Sequence, residues 1–103
     1  MTDSSAVPVR VPNIVRVLVV DDSAYVRKMM TQMLSRSPFV EVIATARDGA
    51  EALEVAAELT PDVITSDLNM PEMEGVEFVR RQMAVRPVPI VIISGASPSG
   101  EQV

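Results

Sequence analysis

"DVITSDLNMPEMEG", residues 62 to 75, runs from a β-branched apolar stretch through a single carboxylate, Asp67, into a Met-Pro-x-x-x-Gly turn. A short apolar run bounded by turn residues predicts a buried strand over residues 62–67. The carboxylate at its end has two readings: a turn former or cap, or a reactive group held open to solvent. The choice depends on what else the chain brings to the same place.

Working outward, three further runs have the same character. "IVRVLVV" (14–20) is β-branched and ends in Asp21-Asp22-Ser23; "PFVEVIATA" (38–46) and "PIVIIS" (89–94) are the others. Between them lie helical patterns. In residues 23–37, Val26, Met29, Met30, Met33 and Leu34 recur at helical spacing, and Asp22 or Ser23 can cap the start. Core packing of these methionines is expected, with an adaptable binding face as the alternative. Residues 48–59 form an Ala/Glu/Leu-rich helix with Asp48 at its start and Thr60-Pro61 at its stop. Residues 74–85 form a third, with Val76, Val79 and Met83 on one face, Phe78 beside them and Pro87 beyond the end.

Strands that are almost continuously apolar, alternating with helices, belong to a doubly wound parallel sheet with helices on both faces. Right-handed crossovers place every strand C-terminus on one edge, where ligands bind near the reversal of strand order. With strand order 2-1-3-4, Asp21 and Asp22 after the first strand meet Asp67 after the third, and Ser94 ends the fourth. Three close carboxylates repel one another unless a cation relieves them, and hard oxygen ligands suit Mg²⁺. A carboxylate beside such a cation can attack a phosphoryl group.

Composition removes other chemistries. The 103 residues contain no His and no Cys, which excludes Ser-His-Asp and Cys-His catalysis, the usual zinc sites and a disulfide framework. The net charge of −5 argues against nucleic-acid binding. No apolar run reaches the roughly 18 residues of a membrane span, and the first residues lack the pattern of a signal peptide. A cytoplasmic domain over residues 14–103 is expected, behind a flexible tail over residues 1–13.

The combination of Asp21-Asp22, Asp67, the "DLNMPEMEG" turn with Met70, Pro71 and Gly75, and Ser94 resembles the receiver domains of bacterial two-component response regulators. "DDSAYVRKMMTQML" (21–34) is similar to the receivers of chemotaxis methylesterases and their single-domain relatives. The resemblance implies that Asp67 accepts a phosphoryl group from a histidine kinase and that Asp21, Asp22, Asp67 and the backbone carbonyl of Asn69 hold Mg²⁺. It implies that Ser94 is the switch hydroxyl, with Ala96 in the loop that moves, and that an output domain or effector reads the result. It also implies a fifth strand, a Lys on the loop after it and further helices. These 103 residues offer no counterpart to them, and Lys28 is the only lysine. Strand four is then an edge through which dimerisation is expected.

Three other readings stand beside this one. A receiver of this length could act as an interaction module without phosphorylation. A phosphohydrolase would need an acid two residues after Asp67, where Asn69 stands. "SGASPSG" (94–100) resembles a G-x-S-x-G elbow, but Ser99 replaces the last Gly and there is no His to act as base.

Overall fold

A computed structural model describes residues 13–68, 70, 73 and 75–93. The order is β1 (Val15–Val20), α1 (Ala24–Leu34), β2 (Val40–Ala46), α2 (Gly49–Leu59), β3 (Val63–Ser66), α3 (Gly75–Val85) and β4 (Ile90–Ile92). The strands form one parallel sheet, as the alternating pattern predicts, in the expected order β2-β1-β3-β4. The expected strands are trimmed at their ends. Phe39 turns before β2, its N–H donating to Ser37 Oγ at 3.1 Å. Asn69, Pro71, Ser94 and Ala96 lie outside the described residues, as does the tail through residue 12.

Local chemistry sets the helix ends. Ser23, not Asp22, caps α1: its Oγ accepts from the Val26 N–H at 3.2 Å. Asp48 caps α2 by accepting from the Glu51 N–H at 2.8 Å, which satisfies one helix-start donor. The Glu51 carboxylate accepts from the N–H of Arg47, the residue before the cap, at 2.8 Å, tying the incoming chain to the first turn. At its far end α2 stops on Thr60, whose φ of 46° is left-handed. The Arg16 guanidinium donates to the Thr60 and Leu59 carbonyls, both at 2.8 Å, and Arg86 donates to the Pro61 carbonyl at 2.7 Å. These side chains satisfy carbonyls around the helix terminus and the turn that follows it.

Because β1 to β2 runs one way across the sheet and β2 to β3 to β4 the other, right-handed crossovers put α1 on one face and α2 and α3 on the opposite face. Leu18, Val20, Ala46 and Ile64 pack with Ala52, Ala56 and Phe78 on the α2/α3 face. The pairing of β1 with β2 carries a bulge: Val17 pairs with Val42 but Leu18 pairs with Ala44. The extra residue, Ile43, reverses the alternation of β2. Val40 and Val42 thereby share the face of α1, while Ala44 and Ala46 turn to the face where α2 lies.

Two packing expectations are corrected. No residue of α1 is buried; Met29 and Met33 are 38% and 56% exposed, while Val26, Met30 and Leu34 are half-buried against the sheet. Among the described residues α1 has no companion helix on its side of the sheet, so one stripe is covered and the next is left in solvent. On α3 the buried face is Gly75, Phe78 and Gln82, not Val76 and Met83, which are exposed. Phe78, the larger side chain, takes the core position, and its neighbours at helical spacing follow it inward.

Candidate functional site

The sheet brings its strand ends to one rim. Pairing of Val20 with Ser66 sets Asp21 and Asp67 side by side. The backbone continues that alignment: the Asp67 N–H donates to the Val20 carbonyl at 3.2 Å, and the Asp21 N–H donates to the Ala46 carbonyl at 3.0 Å. Each aspartate is thus anchored by the strand next to its own.

Oxygens of Asp21, Asp22 and Asp67 all lie within 4.8 Å of one another. Asp21 and Asp67 are buried and Asp22 is exposed. Since Ser23 supplies the cap of α1, Asp22 is left to the acidic group. Asp21 Oδ1 accepts from the Ser23 N–H at 2.9 Å. Burial raises the Asp21 carboxyl above its ordinary value of 3.8; the Ser23 bond opposes this, and the charges of Asp67 and Asp22 add to the rise. The cluster therefore carries electrostatic strain that a cation removes.

The donor set fits a hard divalent cation. Ligand oxygens about 2.1 Å from an octahedral Mg²⁺ lie roughly 3–4 Å apart, and three carboxylates within 4.8 Å can meet that spacing directly or through water. Of the residues expected at the site, Asp21, Asp22 and Asp67 are brought together; Asn69 and Ser94 lie outside the described residues.

Gly75 holds the turn after β3 against the site. Its N–H donates to the Leu68 carbonyl at 2.8 Å, and a Cβ there would collide with the backbone oxygen of Asp67 and with Leu68. The sequence pattern marked this glycine as a turn former without showing that it touches the Asp67 backbone. Arg27 was also missed: its Nη1 donates to the Asp21 carbonyl at 2.7 Å. The available signal was a cation near the start of a helix with no acidic residue in its first turn, where the helix dipole disfavours positive charge. An apolar groove of about 430 Å³ between α3 and β4 includes none of these groups among its lining residues.

Comparison with known proteins agrees with this geometry. The family described as response regulator receiver domain matches residues 17–102. A protein-glutamate methylesterase/protein-glutamine glutaminase of Carboxydothermus hydrogenoformans is 52% identical over 86 residues, covering 84% of this chain and 24% of the relative. One from Anaeromyxobacter dehalogenans is 45% identical over 98 residues, covering 95% of this chain and 28% of its own length. The chain thus spans about a quarter of these relatives. The crystal structure of the response regulator domain of Thermotoga maritima CheB superposes with a TM-score of 0.78 at 39% identity, over 86% of this chain and 64% of that one. A CheX–CheY–BeF3–Mg complex from Borrelia burgdorferi gives a TM-score of 0.75 at 30% identity, over 85% of this chain and 65% of that one. From the strand order, the convergent aspartates and these likenesses together, the chain belongs to the family of response regulator receiver domains, in its chemotaxis methylesterase-like form.

Proposed function

We propose that Asp67 is the phosphoacceptor of this receiver, and that Asp21, Asp22, Asp67 and the Asn69 backbone carbonyl hold Mg²⁺. The carrying observation is the convergence of three carboxylates from two non-consecutive strands within 4.8 Å. The BeF3 and Mg of the Borrelia complex support the same chemistry on the same fold. When bound, the cation neutralises charge on the incoming phosphoryl group.

The residues divide the work. An Asp67 carboxylate oxygen attacks phosphorus in line. The new O–P bond forms as the donor's P–N bond to a kinase histidine breaks, and the departing imidazole nitrogen takes a proton from water. Asp21 and Asp22 bind and orient at the acidic rim. Ser94, two residues past β4 in the sequence, donates its hydroxyl to the phosphoryl oxygens and carries the change into the segment that follows.

The donor is a histidine kinase, and the reader is an output domain or effector protein. The ester hydrolysis in the names of the relatives is assigned to their remaining length, because these 103 residues hold neither His nor Cys. We place the domain, over residues 14–103, in the cytoplasm. No helix among the described residues is long and apolar enough to cross a membrane. The net charge of −5 gives no electrostatic footprint for nucleic acid. The exposed β4 edge, with Val91 at 50% and Ile92 at 41%, is where two copies would pair.

Incubation with a small acyl phosphate and Mg²⁺ tests the reading. One phosphoryl group per chain is expected on intact-mass analysis, and Asp67→Asn should abolish it. Continued release of phosphate over many turnovers would indicate a phosphohydrolase instead. A chain that stays unlabelled while retaining a partner would indicate a pure interaction module.

A further inference from the structure

The start of α1 holds a cation where the helix dipole opposes one. Arg27 stands four residues past the Ser23 cap and is half-buried. Its Nη1 donates to the backbone carbonyl of Asp21 at 2.7 Å, a length typical of a charge-assisted bond. That carbonyl belongs to the peptide joining Asp21 to Asp22. Its orientation decides where the two consecutive carboxylates are presented, and the β1 ladder has already ended at Val20.

The other ties to this segment act elsewhere. The Ala46 carbonyl holds the Asp21 N–H, upstream of the Asp21–Asp22 peptide. The Ser23 N–H holds the Asp21 carboxylate and so orients one side chain. Arg27 holds the plane between the two residues. Repulsion among the three carboxylates favours arrangements that part them, and a fixed peptide removes the backbone's share of that freedom.

We infer that Arg27 is a positioning residue, which fixes the Asp21–Asp22 peptide so that both carboxylates converge on Asp67 and so sets how tightly the rim takes Mg²⁺. This rests on the reading of the three aspartates as an Mg²⁺ site. Two physical roles for the guanidinium predict opposite signs. As a nearby positive charge alone, it repels the cation, and its removal tightens binding. As a positioning group, its removal weakens binding.

The experiment measures Mg²⁺ half-saturation by calorimetry and by NMR shifts of the Asp22 and Ser23 amides, on the wild-type chain, Arg27→Met and Arg27→Lys. Phosphorylation by a small acyl phosphate at saturating Mg²⁺ is measured alongside. Arg27→Met should raise the half-saturating Mg²⁺ about tenfold, the worth of one hydrogen bond from a charged donor. The rate at saturating Mg²⁺ should stay within about twofold, because the cation itself then gathers the carboxylates. Arg27→Lys, which keeps a cationic donor, should recover most of the affinity. If Arg27→Met does not fold by circular dichroism, Arg27→Gln makes the same comparison with a neutral donor of shorter reach. Unchanged or tighter Mg²⁺ binding in these neutral variants, or no recovery with Lys, overturns the role of Arg27. A wild-type chain that takes no Mg²⁺ overturns the site reading itself, and the role of Arg27 with it.

Discussion

Asp21 sits in an environment at odds with its charge. Its folded-state pKa is raised, chiefly by burial and then by Asp67 and Asp22, so folding favours the protonated carboxyl. That contribution is fully present below the ordinary value of 3.8 and is lost as pH rises through the raised one. Without Mg²⁺, Asp21→Asn is therefore expected to be more stable than wild type at neutral pH, and the advantage should vanish below 3.8. Added Mg²⁺ should raise the urea midpoint of wild type and barely move that of the variant. Gly75 is the second sensitive position. Gly75→Ala drives a Cβ into the Asp67 and Leu68 backbone, an overpacking expected to cost about 1–3 kcal/mol. The same displacement should reduce acyl-phosphate labelling, which intact mass after a fixed incubation would record. At this scale the sequence disclosed the three carboxylates, because each follows a recognisable strand. Arg27 shows in it only as a cation set against the helix dipole, since a hydrogen bond to a carbonyl leaves no pattern of its own in residue types.

All seven elements were legible in the chain, with ends displaced by one to a few residues. Apolar runs and helical spacing report where regular structure forms, while the ends depend on single hydrogen bonds. Ser23 rather than Asp22 caps α1, and the difference matters because it leaves Asp22 for the rim. Thr60-Pro61 marks the end of α2 in the sequence, yet nothing there signals the left-handed backbone, since Thr is a poor choice for it. Arg16 and the Thr60 hydroxyl surround that turn. Thr60→Gly should relieve the conformation and stabilise the domain by up to about 1 kcal/mol after the entropic cost of glycine, measurable by urea denaturation. Arg16 hides its role in a similar way: it lies inside a β-branched run, while its guanidinium reaches the carbonyls at the end of α2.

For the molecule as a whole, topology was readable and exposure was not. A parallel sheet with its strand ends on one rim follows from alternation and handedness, which are local and general, and the order 2-1-3-4 is the one on which Asp21 and Asp22 meet Asp67. Whether an apolar side chain is covered depends on what packs beside it. Hence Met29 and Met33 of α1, and Val91 and Ile92 of β4, are exposed although their pattern resembles core. The β4 edge and the open stripe of α1 should make the 103-residue chain associate as concentration rises, visible by sedimentation velocity. Val91→Lys, a charge on an edge strand, should hold it monomeric without altering labelling at Asp67.

The misfit at Ile43 reaches further than β2. By adding one residue to the strand it works like a phase shifter: valines upstream serve one helix, and alanines downstream serve another. It also sets the length of chain that ends in the Ala46 carbonyl, the partner of the Asp21 N–H. Removing Ile43 would make β2 more regular and the acidic corner less so, because the straightened strand would either invert its small residues or arrive one notch out of step with Asp21.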